Sequence, residues 1–281
     1  MTIARTPRLT AFLETLRDGK HDAVSASDVA IVVAHPDDET ICCGALISRL
    51  RGVLIVVVTD GAPRNLIDAQ ALGFASVQDY AEARTSELLS VMQLGGIHPG
   101  RLVQLGIADQ DAGNRLPDIV QDLGECFTAH DTRIVLTHAY EGGHPDHDAV
   151  AFCVHQAAEN ARFDMAVLEM PFYRAGEPAD LHQSFVDGEC EDRIVVALSD
   201  AGRTLKRQMF DAYKTQKHVL ADYSLDSEQF RVAPRYDFLA LPNSGRLLYE
   251  RQNRGMTGLE WQGRVRAALG QGPSGGRVPA P

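Results

Sequence analysis

The amino-acid sequence predicts an α/β fold: a Rossmann-like, doubly wound and mostly parallel sheet with an irregular C-terminal subdomain or lid. Three observations carry that expectation. Short runs rich in Val, Ile and Leu alternate with longer amphipathic segments, the pattern of βα units around a parallel sheet. The runs are apolar throughout, as strands covered on both faces are. A chain of 281 residues, 44% hydrophobic and 23% charged, has ordinary globular composition and the length of one large domain with an appendage.

Residues 1–28 read as an N-terminal helical extension, and residues 29–220 as the sheet domain. The expected strands are Val29–Val33, Val53–Thr59, Leu102–Leu105, Arg133–Thr137 and Met165–Met170. The expected helices are Glu39–Leu50, Asp79–Leu94, Pro117–Ala129 and Asp146–Ala161; the stripe through Leu88 and Met92 stops at Gly95-Gly96, as a helix C-terminus does. Pro171, Gly176 and Pro178 then break the chain before a strand at Arg193–Leu198 and a helix over Asp200–Val219. From Ala221 to Glu250 the pattern is irregular. Residues 221–269 are therefore expected to form a subdomain or lid, with Arg231, Arg235, Tyr236 and Asp237 closing over a site. The Gly/Pro/Ser-rich tail 270–281 is expected to be disordered.

Lys and Arg number 27 against 38 Asp and Glu, a formal net charge of −11. Nucleic-acid binding draws on clustered Lys and Arg, so a nucleic-acid partner is excluded. No membrane partner is expected either, because the longest apolar run, Val53–Val58, is far below the roughly 20 residues of a membrane span. Glu14, Arg17 and Asp18 interrupt the apolar residues near the N-terminus, which lacks a signal-peptide core, and a cytoplasmic location is expected. Cys42, Cys43, Cys126, Cys153 and Cys190 make an odd count without C-x-x-C spacing, so neither a disulfide framework nor a thiolate zinc cluster is indicated. The oligomeric state is not legible.

Two echoing segments carry the chemistry: His35-Pro36-Asp37-Asp38-Glu39 and His144-Pro145-Asp146-His147-Asp148. Composition alone would supply roughly 0.04 copies of H-P-D in a chain of this length, so two copies call for a reason. Each follows a predicted buried strand and precedes a predicted helix. In open α/β sheets the ligand crevice lies beyond the carboxyl ends of the strands, so both segments should face one site. Imidazole and carboxylate are zinc-type ligands, and two His with one Asp meet the count of a catalytic site with an open position. Proline holds the residue before it extended, which keeps His35 and His144 in strand-like backbone. Three consecutive acids at an apolar strand end require a positive partner, and a divalent cation supplies one. Helix capping is the competing explanation; it accounts for the carboxylates but not the histidines.

At these residues the sequence resembles the PIG-L/LmbE-like superfamily of zinc-dependent N-deacetylases. The resemblance rests on A-H-P-D-D-E at Ala34–Glu39 and H-P-D-H at His144–His147, with lesser matches at Thr59-Asp60-Gly61, at R-x-x-E from Arg84 to Glu87, and at Lys206 with Thr215-Gln216. It implies that His35, Asp38 and His147 hold zinc, with Fe2+, Co2+ or Mn2+ as substitutes. It implies that Asp37 is the general base, and that His144, oriented by Asp146, is the cation facing the oxyanion or leaving amine. The implied substrate is a small amino-sugar conjugate containing N-acetylglucosamine. Where some members place a Tyr immediately before the second motif, Gly142-Gly143 stand here.

Arg84, Arg64 and Asp109 are candidate substrate contacts, Arg84 from the family pattern and the others from their places beyond strand ends. Turn chemistry reads equally well for Asp109, and a solvated surface residue for Arg64. His138, at the fourth strand end, is a candidate for a supporting role. Three rival functions keep the same residues: an amidase of the same fold cleaving a larger N-acyl group, a non-catalytic sugar-binding protein, and a non-haem iron oxygenase using the two-His-one-carboxylate triad. Dinucleotide binding lacks its G-x-G-x-x-G signature.

Overall fold

The structure is a computed structural model and describes residues 6–18, 23–186 and 193–271. Seven strands form the central sheet: β1 Val29–Val33, β2 Leu54–Pro63, β3 Leu102–Asp109, β4 Ile134–His138, β5 Ala166–Met170, β6 Ile194–Ala197 and β7 Ser227–Val232. Their order is β6-β7-β5-β4-β1-β2-β3. The pairs from β3 to β5 are all parallel, while β7 runs antiparallel to both β5 and β6. The seven helices that matter here are α1 Pro7–Arg17, α2 Asp38–Ile47, α3 Val77–Leu94, α4 Leu116–Ala129, α5 Pro145–Glu159, α6 Asp200–Ala212 and α7 Gly258–Ala268.

All five residues of β1 are buried, so its side chains alternate between two cores rather than between core and water. Val29, Ile31 and Val33 join one cluster with residues of α1, α2, α3 and α6. Ala30, Val32 and Ala34 join the other, with residues of α4, α5 and α7. The result is three layers. Leaving β1, the chain crosses to the first face through α2; leaving β4, it crosses to the second through α5. Between these two adjacent strands the winding reverses, and the crevice opens at their carboxyl ends.

Several elements differ from the sequence expectation, each for a physical reason. β2 runs to Pro63 through register shifts against β3, so Asp60 and Gly61 lie inside a strand rather than a loop. β3 extends to Asp109. The helix expected over Asp200–Val219 ends at Ala212, because Tyr213 adopts ψ 72° and buries a hydroxyl that donates to Glu39 Oε1 at 2.6 Å. Short turns at Lys214–Gln216 and Lys217–Leu220 follow. The stretch expected to be irregular, Ala221–Glu250, supplies β7, so the sheet continues past residue 220. Its charges concealed it: Glu228 pairs with Lys206, and Arg231 with Glu169. The tail expected to be disordered lies, beyond residue 271, outside the described residues, as do residues 1–5 and 19–22 of the N-terminal extension.

The Lys206–Glu228 pair fastens α6 to α2 and β7. Lys206 Nζ donates to Glu228 Oε1 at 3.0 Å, and the same carboxylate accepts Ala45 N at 2.8 Å and Leu46 N at 3.0 Å. Both side chains are essentially inaccessible, so removing one leaves a buried charge uncompensated. Lys206→Met is expected to cost about 3–5 kcal/mol in urea unfolding, with Glu228→Gln restoring part of it.

His155 on α5 packs edge-on against Tyr236 and Phe238, and burial pulls its pKa down to about 4. The unfolded chain takes that proton near pH 6.5, whereas the folded one does not until about 4. Its contribution is therefore complete above pH 6.5 and lost as pH falls through that window, by about 3 kcal/mol at most. His155→Leu is expected to flatten the fall in urea midpoint between pH 7 and pH 4.5 relative to the unsubstituted protein.

Candidate metal centre and active site

The first motif leaves β1 under tight control. Ala34 N donates to His138 Nε2 at 2.8 Å, which ties the end of β1 to the end of β4. Three residues on, Asp37 has φ 131°, a conformation that side-chain-bearing residues seldom adopt. Although Asp37 holds the N-cap position of α2, its side chain makes no capping bond. Its carboxylate instead meets Arg84 from α3. The Arg84 guanidinium donates to Gly61 O and Pro36 O at 2.6 Å each and to Asp37 Oδ2 at 3.2 Å, so it braces the whole turn. Only glycine fits at position 61: with φ +64°, an added Cβ would lie 2.6 Å from Arg84 Cζ. On α3, Glu87 accepts Thr215 N at 3.0 Å and Thr215 Oγ1 at 2.6 Å, and Gln216 donates to Tyr80 Oη at 2.8 Å.

The second motif opens α5. His144 is the N-cap, its Nδ1 accepting Asp146 N at 3.2 Å, and Pro145 stands at the first turn. Asp148 accepts Glu141 N at 3.2 Å and Gly142 N at 3.1 Å, closing the loop that precedes the motif.

Across the crevice the two motifs converge on one point. His35 Nδ1 lies 3.1 Å from Asp38 Oδ2 and 3.2 Å from His147 Nε2, and the last two atoms are 3.4 Å apart. Ligand atoms about 2.05 Å from a tetrahedral zinc are separated by about 3.3 Å, so this triangle has the size that a zinc ion imposes. Lone pairs this close repel unless a proton or cation lies between them. His35 Nε2 faces Asp146 Oδ2 and Asp109 Oδ1, both at 3.3 Å, acceptors that would hold a proton on Nε2 and leave Nδ1 to face a bound metal. Three groupings of potential ligands overlap this one: His35, His144 and His147; His35, Asp109, His144 and Asp146; and Asp38, His138 and His147. The His138 Nε2 lone pair is already committed to Ala34 N, and Asp146 accepts Gln110 N at 2.6 Å and Ala112 N at 3.1 Å. Both therefore serve better as supports than as ligands.

Protonation follows the same geometry. Burial pulls His35 down, but Asp109 and Asp38 outweigh it and hold its pKa well above the usual imidazole value. Burial raises Asp38, and His147 and His35 more than reverse this. Burial drives Asp37 well above the carboxylate range against the pull of Arg84, and brings Asp146 up to about 6. His138, His144 and His147 are pushed down by burial. Displaced acids and depressed imidazoles of this kind concentrate at functional sites.

Of the residues singled out from sequence, His35, Asp37, Asp38, Arg84, Asp109, His144 and His147 all line a single cleft of about 600 Å³. Asp146 lies beneath it. Two placements differ from expectation. Arg64 is half exposed and turned to Asp60 Oδ2 at 2.5 Å and Ala62 O at 2.6 Å; it does not line the cleft. The Asp146 carboxylate faces His35, at 3.3 Å, rather than His144 Nδ1, at 3.9 Å; it is the Asp146 backbone that orients His144. Arg231, Arg235, Tyr236 and Asp237 do not close over the cleft, because antiparallel β7 carries the chain away from the carboxyl ends of the parallel strands. Arg235, Tyr236 and Asp237 line a separate cavity beside α5.

Sequence reasoning missed Tyr173, Tyr223 and Arg254, which also line the cleft. Tyr173 follows β5, its backbone N–H held by Glu141 Oε1 at 3.1 Å and its ring centroid 5.4 Å from that of His147. Gly143 lets this tyrosine approach: a Cβ there would lie 1.9 Å from Tyr173 O. The Gly142-Gly143 pair before the second motif was the available signal.

A doubly wound α/β domain with a His-His-Asp donor set at its switch point could hold a metal ion where such folds bind their ligands. The family model described as PIG-L: GlcNAc-PI de-N-acetylase matches residues 30–158. No curated protein matches the chain. Among solved structures, the deacetylase of the A40926 pseudoaglycone shares 17% identity at a TM-score of 0.58, covering 75% of this chain and 99% of that one. The zinc-inhibited form of a teicoplanin deacetylase shares 15% at 0.56, covering 74% and 98%. The N,N'-diacetylchitobiose deacetylase of Pyrococcus horikoshii, complexed with an inhibitor, shares 18% at 0.55, covering 83% and 95%. At these identities the likeness is one of fold.

Proposed function

We propose that the protein is a zinc-dependent hydrolase that removes the N-acetyl group from a small molecule containing N-acetylglucosamine. The observation that carries this reading is the triangle of His35 Nδ1, Asp38 Oδ2 and His147 Nε2, with edges of 3.1 to 3.4 Å, flanked in one cleft by Asp37 and His144. The PIG-L match and the deacetylases that share the fold support it. A cleft of about 600 Å³ suits a small molecule, and among the described residues no helix is long and apolar enough to cross a membrane.

Zinc held by the three ligands would polarise the amide carbonyl and acidify the attacking water. Asp37 takes the proton from that water, its carboxylate aimed by the strained turn and steadied by Arg84. His144, whose Nδ1 accepts a backbone N–H, carries its proton on Nε2 and presents it to the developing oxyanion and then to the leaving amine. Asp146 and Asp109 fix the His35 ring from its far side. Arg84 acts through Asp37 rather than on the substrate.

Acetate release from a panel of N-acetylglucosaminides, with N-butyryl analogues alongside, tests the reading at one equivalent of zinc, since one protein of this fold has a zinc-inhibited form. Release of acetate from at least one sugar, and its absence in His147→Ala, is the expected result. Preference for the longer acyl group would move the assignment to a broader amidase.

A further inference from the structure

Two arginines line the cleft, and they differ in what they hold. Arg84 is committed to Gly61 O, Pro36 O and Asp37. Arg254 makes no ion pair or side-chain hydrogen bond among the described residues, although four aspartates also line the cleft. Its place is built rather than incidental. The turn that carries it is fixed by Arg254 N donating to Tyr249 O at 2.8 Å, and Leu248 N donates to Gly142 O at 2.8 Å, which ties the turn to the loop before the second motif. Asn253 and Gly255 flank Arg254 with φ 52° and 71°, so the guanidinium is presented from a tight bend. Arg254 lines the cleft together with His144, His147 and Tyr173. The Tyr173 hydroxyl likewise has no hydrogen-bond partner among the described residues. A guanidinium and a phenol, both uncommitted and both beside the metal ligands, form a recognition pair for a negatively charged oxygen group.

Resting on the deacetylase reading, we infer that the substrate of this cleft carries an anionic group, a carboxylate or a phosphate, on its amino-sugar portion or the aglycone, and that Arg254 with Tyr173 binds it. The alternative role for Arg254, general compensation of the cleft's acids, makes a different prediction: its loss would then affect charged and neutral sugars alike.

Binding to zinc-loaded Asp37→Asn protein, in which turnover does not intervene, separates the two by calorimetry. The probes are methyl N-acetylglucosaminide, which is neutral, N-acetylglucosamine 1-phosphate and 6-phosphate, and N-acetylmuramic acid, which bears a carboxylate. At least one anionic probe should bind roughly 10- to 100-fold tighter than the neutral one, the range expected of a charge-assisted hydrogen bond. Arg254→Ala in the same background should abolish that preference, leave neutral binding within about twofold, and leave the melting temperature unchanged; Arg254→Lys should keep part of the preference. The phosphates and the carboxylate identify which source supplies the charge. Equal binding of all four probes, binding of none, or an equal loss on charged and neutral probes in Arg254→Ala would overturn the inference. Anion preference that depends on Arg254 in a protein that releases no acetate would uphold it while removing the deacetylase reading.

Discussion

Asp37→Asn is expected to lower kcat by about 10²- to 10⁴-fold while the protein keeps its metal. The substitution preserves shape and leaves His35, Asp38 and His147 in place, but removes the group that accepts the proton of the attacking water. Arg84 would retain its bonds to Pro36 O and Gly61 O, so the turn would hold. Metal analysis beside steady-state kinetics checks this. Loss of metal in step with activity would instead make Asp37 a ligand or a structural support.

His147→Ala is the second large effect. It deletes one of three proposed ligands from a buried position, and a bound metal cannot keep the same affinity on the remaining two. Substitutions around a metal site that spare its ligands cost roughly 10- to 100-fold in affinity, so loss of a ligand should cost more. Asp146→Asn, which keeps the ligands but weakens the carboxylate behind His35, should fall within that lower range. Competition with a chromophoric chelator orders the two variants. Should His147→Ala retain wild-type affinity, the donor set would lie elsewhere, and the grouping of His35, Asp109, His144 and Asp146 would take its place.

The candidate metal centre was legible because its residues follow the ends of β1 and β4, two apolar strands whose pattern is unambiguous and which are adjacent in the sheet. An H-P-D at each end fixed which edge they share. What spacing could not show was division of labour. Asp37 and Asp38 are neighbours in sequence, yet the reversed φ of Asp37 turns one carboxylate to Arg84 and leaves the other against His35. Likewise Asp146 stands beside His144 in the chain but faces His35 in space. The cleft walls were less legible still. Tyr173 arrives from beyond β5 and Arg254 from a bend after Leu248–Arg251, segments without period, where long-range hydrogen bonds rather than local pattern set position. β7 escaped for the opposite reason: it is regular, but Glu228 and Arg231 make a buried strand look like a polar loop.

The central claim, that one metal held by His35, Asp38 and His147 makes this chain a deacetylase, is tested most directly by titrating metal-free protein with zinc while following acetate release from the best N-acetylglucosaminide. Activity should be absent at the start, rise linearly and reach its maximum at one zinc per chain. Full acetate release from the chelated protein, or none at one equivalent of zinc or of Fe2+, Co2+ or Mn2+, would contradict it.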